Sequence, residues 1–193
     1  MKIQRSKFFN FNLAFIILVT FLNQSCKSQN GTHKTCDHFE NEWQKIKDTM
    51  GKFEIIIPNC DIQKSKQSQI IDNVSSDIHV TSVNLQNQDH LNLAYSISFQ
   101  KFEFQDAKSV FKAQIDYIKS GTNFDLQYEA VLDTLDIKVR ELYFTSSQAN
   151  LILINKLFLR NETFYKILVI VEKDKSHNKS IKKFIDSFKF FDY

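Results

Sequence analysis

Three cysteines, Cys26, Cys36 and Cys60, have the widest chemical range of any side chains in this 193-residue sequence. A thiol can act as nucleophile, metal ligand, disulfide partner or attachment point. The stretch "HKTCDH" sets His33 and His38 beside Cys36, and Cys60 would complete a zinc or copper set, although the spacing matches no strong zinc pattern. In "SSDIHV", Ser75, Asp77 and His79 share one face of a strand by two-residue alternation. A catalytic triad needs its histidine between nucleophile and acid, and here Asp77 is the middle residue, so a solvated strand face is the plainer reading. Glu129, Asp133, Asp136 and Glu141 straddle a turn without the every-second-residue oxygens of a calcium loop, and read as surface acids. No nucleophile elbow and no pair of histidines one helical turn apart is present. Phosphate loops need backbone without a Cβ, which three glycines in the whole chain do not supply. The sequence therefore reads as that of a non-enzyme, with no cofactor and no metal.

Charge excludes a further class. The net charge is +3, and Lys2, Arg5 and Lys7 lie ahead of any acid, so the chain beyond Cys26 is close to neutral. Only the C-terminal segment, with Lys173, Lys175, Lys179, Lys182 and Lys183, gathers basic residues, and acids interrupt it; nucleic acid is not an expected partner. Nineteen phenylalanines against three glycines and one proline mean that turns rely on Asn, Asp and Ser. The phenylalanine excess also raises a carrier of a small apolar ligand or lipid as the alternative function.

The first residues have the layout of a secretory signal: a basic start, the apolar run "LAFIILVTFL" over residues 13–22, and the polar Asn23-Gln24-Ser25. A spanning helix needs about 20 apolar residues, and Asn12 and Asn23 cut the run to roughly half that. At its end the sequence resembles a bacterial lipoprotein lipobox, carried by Leu22, Ser25 and Cys26. The resemblance implies that the Cys26 thiol receives a diacylglycerol, that the signal, residues 1–25, is cut just before it, and that the new amino group is acylated, with palmitate as the typical chain. Two acyl chains, at about 0.8 kcal/mol per buried methylene, hold a protein on a bilayer stably. The expected place is the periplasmic side of a Gram-negative envelope, with the bilayer and an unidentified envelope protein as partners. Cleavage a few residues later, for example after Ser28, would instead release a soluble protein.

An exported chain meets oxidising conditions, so the even pair Cys36 and Cys60 reads as a candidate disulfide. A helix from Asp37 to about Thr49 and a strand from Lys52 to Pro58, reversed at Gly51, would each be about 20 Å long and bring those cysteines together. Closing that loop would stabilise the fold by about 3 kcal/mol.

The remaining elements follow from hydrophobic period. Residues 26–36 read as a lipidated N-terminus and polar tether, and residues 37–193 as one domain. Phe39, Trp43, Ile46 and Met50 recur at helical steps, capped by Asp37. "KFEIIIP" alternates as a strand ended by Pro58, and residues 59–69 are polar. "DIHVTSVNL" and "LNLAYSISFQKF" pair through the turn "QNQDH". A helix follows from Asp106, its cap, to Ser120, stopped by Gly121. "FDLQYEAVLDTLDIKVRELYF" alternates about a turn at residues 133–136, and "NLILINKLFL" and "FYKILVIVE" form a hairpin of central strands across "RNET". Last comes a helix capped by Ser176, with Ile181, Phe184, Ile185 and Phe188 as its stripe. Hairpins with few crossovers predict an α+β fold, an antiparallel sheet flanked by helices.

Phe53, Pro58, Tyr165, Phe184, Ser187 and Phe188, in "GKFEIIIP", "LFLRNETFYKILVIV" and "IKKFIDSFKFF", resemble the pattern of the PsbP-like domains of small bacterial lipoproteins and photosystem assembly proteins. The resemblance implies an α/β/α sandwich and a role in protein interaction or assembly without a shared catalytic centre.

Overall fold

The computed structural model describes residues 42–71, 74–85, 92–101 and 106–191. The signal, Cys26, the tether and Cys36 lie outside the described residues, as does the "QNQDH" turn. The described chain is α+β and its strand pairings are all antiparallel.

Strands β1 (Trp43–Asp48), β2 (Phe53–Pro58) and β10 (Lys189–Phe190) make a small sheet with β2 in its centre. A seven-stranded sheet runs β3-β4-β5-β9-β8-β7-β6, built from β3 (Gln63–Ile71), β4 (Val74–Asn84), β5 (Ala94–Lys101), β6 (Phe124–Val131), β7 (Lys138–Ser146), β8 (Leu151–Arg160) and β9 (Thr163–Glu172). Helix α1 (Ala107–Gly121) packs on one face of it; the small sheet and helix α2 (Lys179–Asp186) pack on the other.

Alternation explains why both faces are apolar. Tyr165, Ile167, Val169 and Val171 of β9 face the small sheet and α2, whereas Phe164, Leu168 and Ile170 face α1. Between the sheets the phenylalanines interlock: Phe53 has Phe188 at 5.6 Å and Phe99 at 5.9 Å between ring centroids, and Phe188 has Phe190 at 4.8 Å. Much of the phenylalanine excess is thus core packing between two sheets.

Three sequence expectations are corrected. The segment expected to be a helix from Asp37 to Thr49 is strand β1 over its described part, paired with β2 from Trp43↔Pro58 to Asp48↔Phe53. Strand β2 is apolar on one face and central, so it needs a ladder on each side, and β1 supplies one; Met50, the fourth member of the supposed helical stripe, is 61% exposed. The polar stretch expected between residues 59 and 69 contains β3, an edge strand whose Lys and Gln side chains protect an open edge against further pairing. Asn178, not Ser176, caps α2 by accepting the Ile181 N–H at 3.1 Å, because a single turn of 3₁₀ helix at Lys173–Lys175 delays the helix start. Asp106 caps α1 as expected, accepting the Lys108 and Ser109 N–H groups.

Lys166 of β9 yields a pH prediction. Its side chain keeps partial solvent contact, yet it stands on the central strand, and burial pushes its ammonium pKa down from 10.5 to about 8. The folded state releases this proton near pH 8 and the unfolded chain only near 10.5, so the unfolded state holds more protons in between and stability rises with pH. The unfolding free energy from urea denaturation between pH 7.5 and 9.5 should climb by on the order of 1 kcal/mol, discounted for partial exposure. Lys166→Met should be the more stable protein at pH 7.5 and should lose most of the climb. A slope unchanged in the variant would assign it to another group.

Candidate binding groove

The sequence-nominated chemical residues do not converge. Asp77 accepts a hydrogen bond at 2.6 Å from Oγ of Ser68, directly across the β3–β4 ladder, and pairs at 2.7 Å with Lys66, the diagonal neighbour opposite His79. The Lys66 contact, followed by that of Ser68, holds the Asp77 carboxyl below its ordinary pKa. His79 lies flat on the Phe99 ring, 4.8 Å between centroids, as a packing residue. Of the four acids around the β6–β7 turn, Glu129 and Asp133 face Arg140, and Glu141 pairs with Lys156 at 2.8 Å. Among the described residues no three of His, Cys, Asp and Glu gather into a cation site.

Cys60 is buried. The length argument for its bond to Cys36 rested on a helix, and the β1–β2 register replaces that geometry. Cys36 lies outside the described residues.

What does converge is a groove of about 710 Å³ between α2 and strands β6 to β8. Ile152 and Ile154 of β8 and Tyr143 of β7 form its floor, because residues two apart on a strand share a face. Ile181 and Ile185, one helical turn apart on α2, form the near wall. Tyr128 of β6, register partner of Tyr143, closes the far side with its ring edge-on at 5.5 Å. Charges stand only in matched pairs: Glu141 with Lys156 on the floor, and Lys182 with Asp186 along α2. Burial, then the neighbouring Glu141 and Tyr128, raises the Tyr143 pKa, so its phenol stays a neutral donor. Tyr128 is 52% exposed, so the far wall is open to solvent. Such a trough suits a side chain or an extended segment better than a ligand needing full enclosure.

The groove continues onto the β6–β7 hairpin. Five of the six large hydrophobic residues left exposed among the described residues lie between positions 128 and 143: Tyr128, Val131, Leu132, Leu135 and Tyr143. The hairpin tip is ordered. Asp133 Oδ1 accepts the Val139 N–H at 2.8 Å and an Arg140 Nη1 hydrogen at 2.6 Å, and Thr134 N–H donates to the Ile137 carbonyl at 2.8 Å. Burial works against the Asp133 charge, but the Val139 N–H and Arg140 outweigh it and hold the carboxyl below its ordinary pKa. Arg140 is itself fixed over the Phe111 ring of α1 at 4.8 Å. Leu135, 97% exposed, therefore stands on a braced loop. Sequence reasoning read "VLDTLD" only as a turn between acids; a leucine between two turn aspartates was the available signal.

The residues that carried the family pattern do meet. Phe53, Tyr165 and Phe188 form one ring cluster, with Tyr165 and Phe188 at 6.0 Å, and Ser187 Oγ accepts the Ile56 N–H at 2.9 Å, joining the end of α2 to the small sheet. No family model matches the chain, and no curated protein matches it significantly. The solution structure of PsbP (CyanoP) from the cyanobacterium Synechocystis sp. PCC 6803 is similar over 88% of this chain and 99% of its own, at 12% sequence identity and a TM-score of 0.51. At that identity the likeness is one of fold, and the fold of this chain is PsbP-like.

Proposed function

We propose that this protein is a non-enzymatic interaction module, held on an envelope membrane by acylated Cys26, that docks a partner protein through the β6–β7 hairpin and the groove beside it. The observation that carries the reading is that five of the six large apolar side chains exposed among the described residues lie on one braced hairpin. Isolated exposed apolar residues are ordinary, whereas several gathered on one hairpin, two of them tyrosines beside a groove rimmed by charge, have the composition of a protein interface. The hydrogen bonds of Asp133 and Thr134 fix the loop before a partner arrives, so little ordering entropy remains to be lost on binding. The PsbP-like fold supports an accessory role. A disulfide between Cys36 and Cys60 belongs to the same proposal and would tie the N-terminal tether to the edge of the small sheet.

A photo-crosslinking residue at position 135, introduced in the native host, should give a discrete adduct, and one at Met50, exposed but far along the chain, should not. Leu135→Asp should cut recovery of that partner about tenfold or more while leaving the melting temperature unchanged, since the side chain is 97% exposed. In the same cells Cys26→Ser should abolish acyl labelling and accumulate uncut precursor. Equal adducts from positions 135 and 50 would sink the docking surface, and unaltered processing of the Cys26 variant would sink the anchor.

A further inference from the structure

The outer face of the small sheet carries an excess of one charge. Alternation along β1 points Lys45 and Lys47 away from the large sheet, while Ile46 between them is 8% exposed and belongs to the core shared by the two sheets. Glu54 of β2 stands on the same outer face. Lys47 is its register partner on one side and Lys189 of β10 on the other, and Lys45 Nζ lies 2.8 Å from its carboxylate. The Lys45 hydrogen bond, against some desolvation, and then the charges of Lys189 and Lys47 hold the Glu54 carboxyl below its ordinary range. Three exposed lysines thus surround the one acid that these strands place on this face.

Aromatic rings lie among the charges. Trp43, two residues ahead of Lys45 on β1, has Lys183 Nζ of α2 over its ring at 4.6 Å. Phe191, just past β10, has Lys47 Nζ over its ring at 4.6 Å. Lysines beside a partly exposed indole have the composition of a surface that meets a bilayer, where the ring sits at headgroup level and the ammonium groups reach phosphate. The chain also enters the domain here. Trp43 is seventeen residues beyond Cys26, a length that stretches to roughly 60 Å at most, so an anchor at Cys26 keeps β1 close to the membrane.

We propose that the outer face of the small sheet is a docking surface for anionic phospholipid headgroups and lays the domain against the bilayer. The orientation rests on the anchor at Cys26 proposed above, whereas the attraction to the headgroups does not. Charge balance selects this occupant: Lys45, Lys47, Lys183 and Lys189 face a single carboxylate, and each lysine held near an anionic bilayer strengthens partition about fivefold. The β6–β7 hairpin shares no residue with this face and is left to its protein partner.

Trp43 is the only tryptophan of the chain, so its fluorescence reports on this face. Protein purified from its host, its mass showing whether Cys26 is acylated, is placed with vesicles of phosphatidylcholine alone or mixed with phosphatidylglycerol, each containing a lipid spin-labelled at its headgroup. Quenching of Trp43 should be about twofold or more stronger with phosphatidylglycerol, and should drop to the phosphatidylcholine level as salt shortens the Debye length from about 10 Å to about 3 Å. Lys47→Gln combined with Lys189→Gln should lower the docking equilibrium about 25-fold and abolish the difference between the two vesicles. The same loss of charge on α1, across the large sheet, by Lys112→Gln with Lys119→Gln, should leave the difference intact. Equal quenching in both vesicles would overturn the proposal, as would a difference that survives high salt or the Lys47 and Lys189 substitutions. Loss of the difference in the α1 variant would reduce it to an effect of net charge, and overturns it too. A mass without acyl chains would remove the anchor and not the docking face, which the vesicles still read. In cells, a photo-crosslinking residue at position 47 should give lipid adducts; a discrete protein adduct would assign the face to an acidic protein and overturn the proposal.

Discussion

Phe53→Ala should cost about 4 kcal/mol of stability, lowering the urea midpoint with an unchanged m-value and the melting temperature by roughly 10 °C. Phe53 is 1% exposed and sits on the central strand of the small sheet. Its ring meets Phe99 of β5, Tyr165 of β9 and Phe188 beyond α2, all between 5.6 and 6.3 Å. One side chain therefore joins the small sheet, two strands of the large sheet and the C-terminal segment. Truncation loses the transfer energy of the ring and leaves a void that backbone hydrogen bonds on both sides of β2 prevent from collapsing. Ring-edge contacts add about 0.5–1.5 kcal/mol each beyond buried area, so the upper part of the usual range applies. Phe191, beyond the end of β10, is a suitable contrast: its ring lies under Lys47 at 4.6 Å, outside this cluster. A loss at Phe53 no larger than at Phe191 would mean that the two sheets are not held together here.

The legible parts of this fold were those in which a period-two pattern coincides with burial. Phe53, Ile55 and Ile57 alternate with Glu54 and Ile56 and are only 1%, 0% and 0% exposed. The β8–β9 hairpin announced itself by two apolar runs around "RNET", and the turn closes on Asn161 and Glu162, both with positive φ, as a two-residue turn between twisted strands requires. β1 was misread because Trp43, Ile46 and Met50 fit helical steps, and only the needs of its neighbour β2 decide otherwise. Local pattern cannot report a neighbour's unpaired ladder. β3 was missed for the complementary reason: an edge strand has no apolar face to reveal it.

The site was less legible than the fold. Tyr128 and Tyr143 meet only because β6 pairs with β7 in one register, with a bulge between Leu126 and Tyr128, and the exposure of Leu135 depends on how Asp133 braces the turn. The catalytic-looking Asp77 and His79 illustrate the converse. Two-residue spacing put them on one face, but their partners are Lys66, Ser68 and Phe99, a ladder and a stack.

Gly51→Ala should destabilise by about 2 kcal/mol, and about half of that cost should vanish when Phe53 is shortened. Gly51 is buried in the β1–β2 turn, its N–H donating to Asp48 Oδ1 at 2.7 Å. A Cβ at this position would lie 2.7 Å from Phe53 Cε1 and 2.9 Å from Phe99 Cδ1, closer than carbon atoms approach. The backbone itself raises no objection, since no glycine among the described residues has positive φ. Two effects then compete. Alanine restricts the unfolded chain and favours folding by about 0.4–1 kcal/mol, whereas pushing two packed rings aside costs about 1–3 kcal/mol. The clash is the larger, because each ring is already locked against Tyr165: Phe53 at 6.3 Å and Phe99 at 6.4 Å. Phe53→Leu removes the nearer of the two obstacles and keeps most of the apolar volume. In that background Gly51→Ala should cost about 1 kcal/mol less than in the parent, a coupling well above the roughly 0.3–0.5 kcal/mol scatter of independent sites. Strict additivity in urea unfolding of the four proteins would show that the turn and the aromatic cluster are not in contact, and the close approach at Gly51 would lose its explanation.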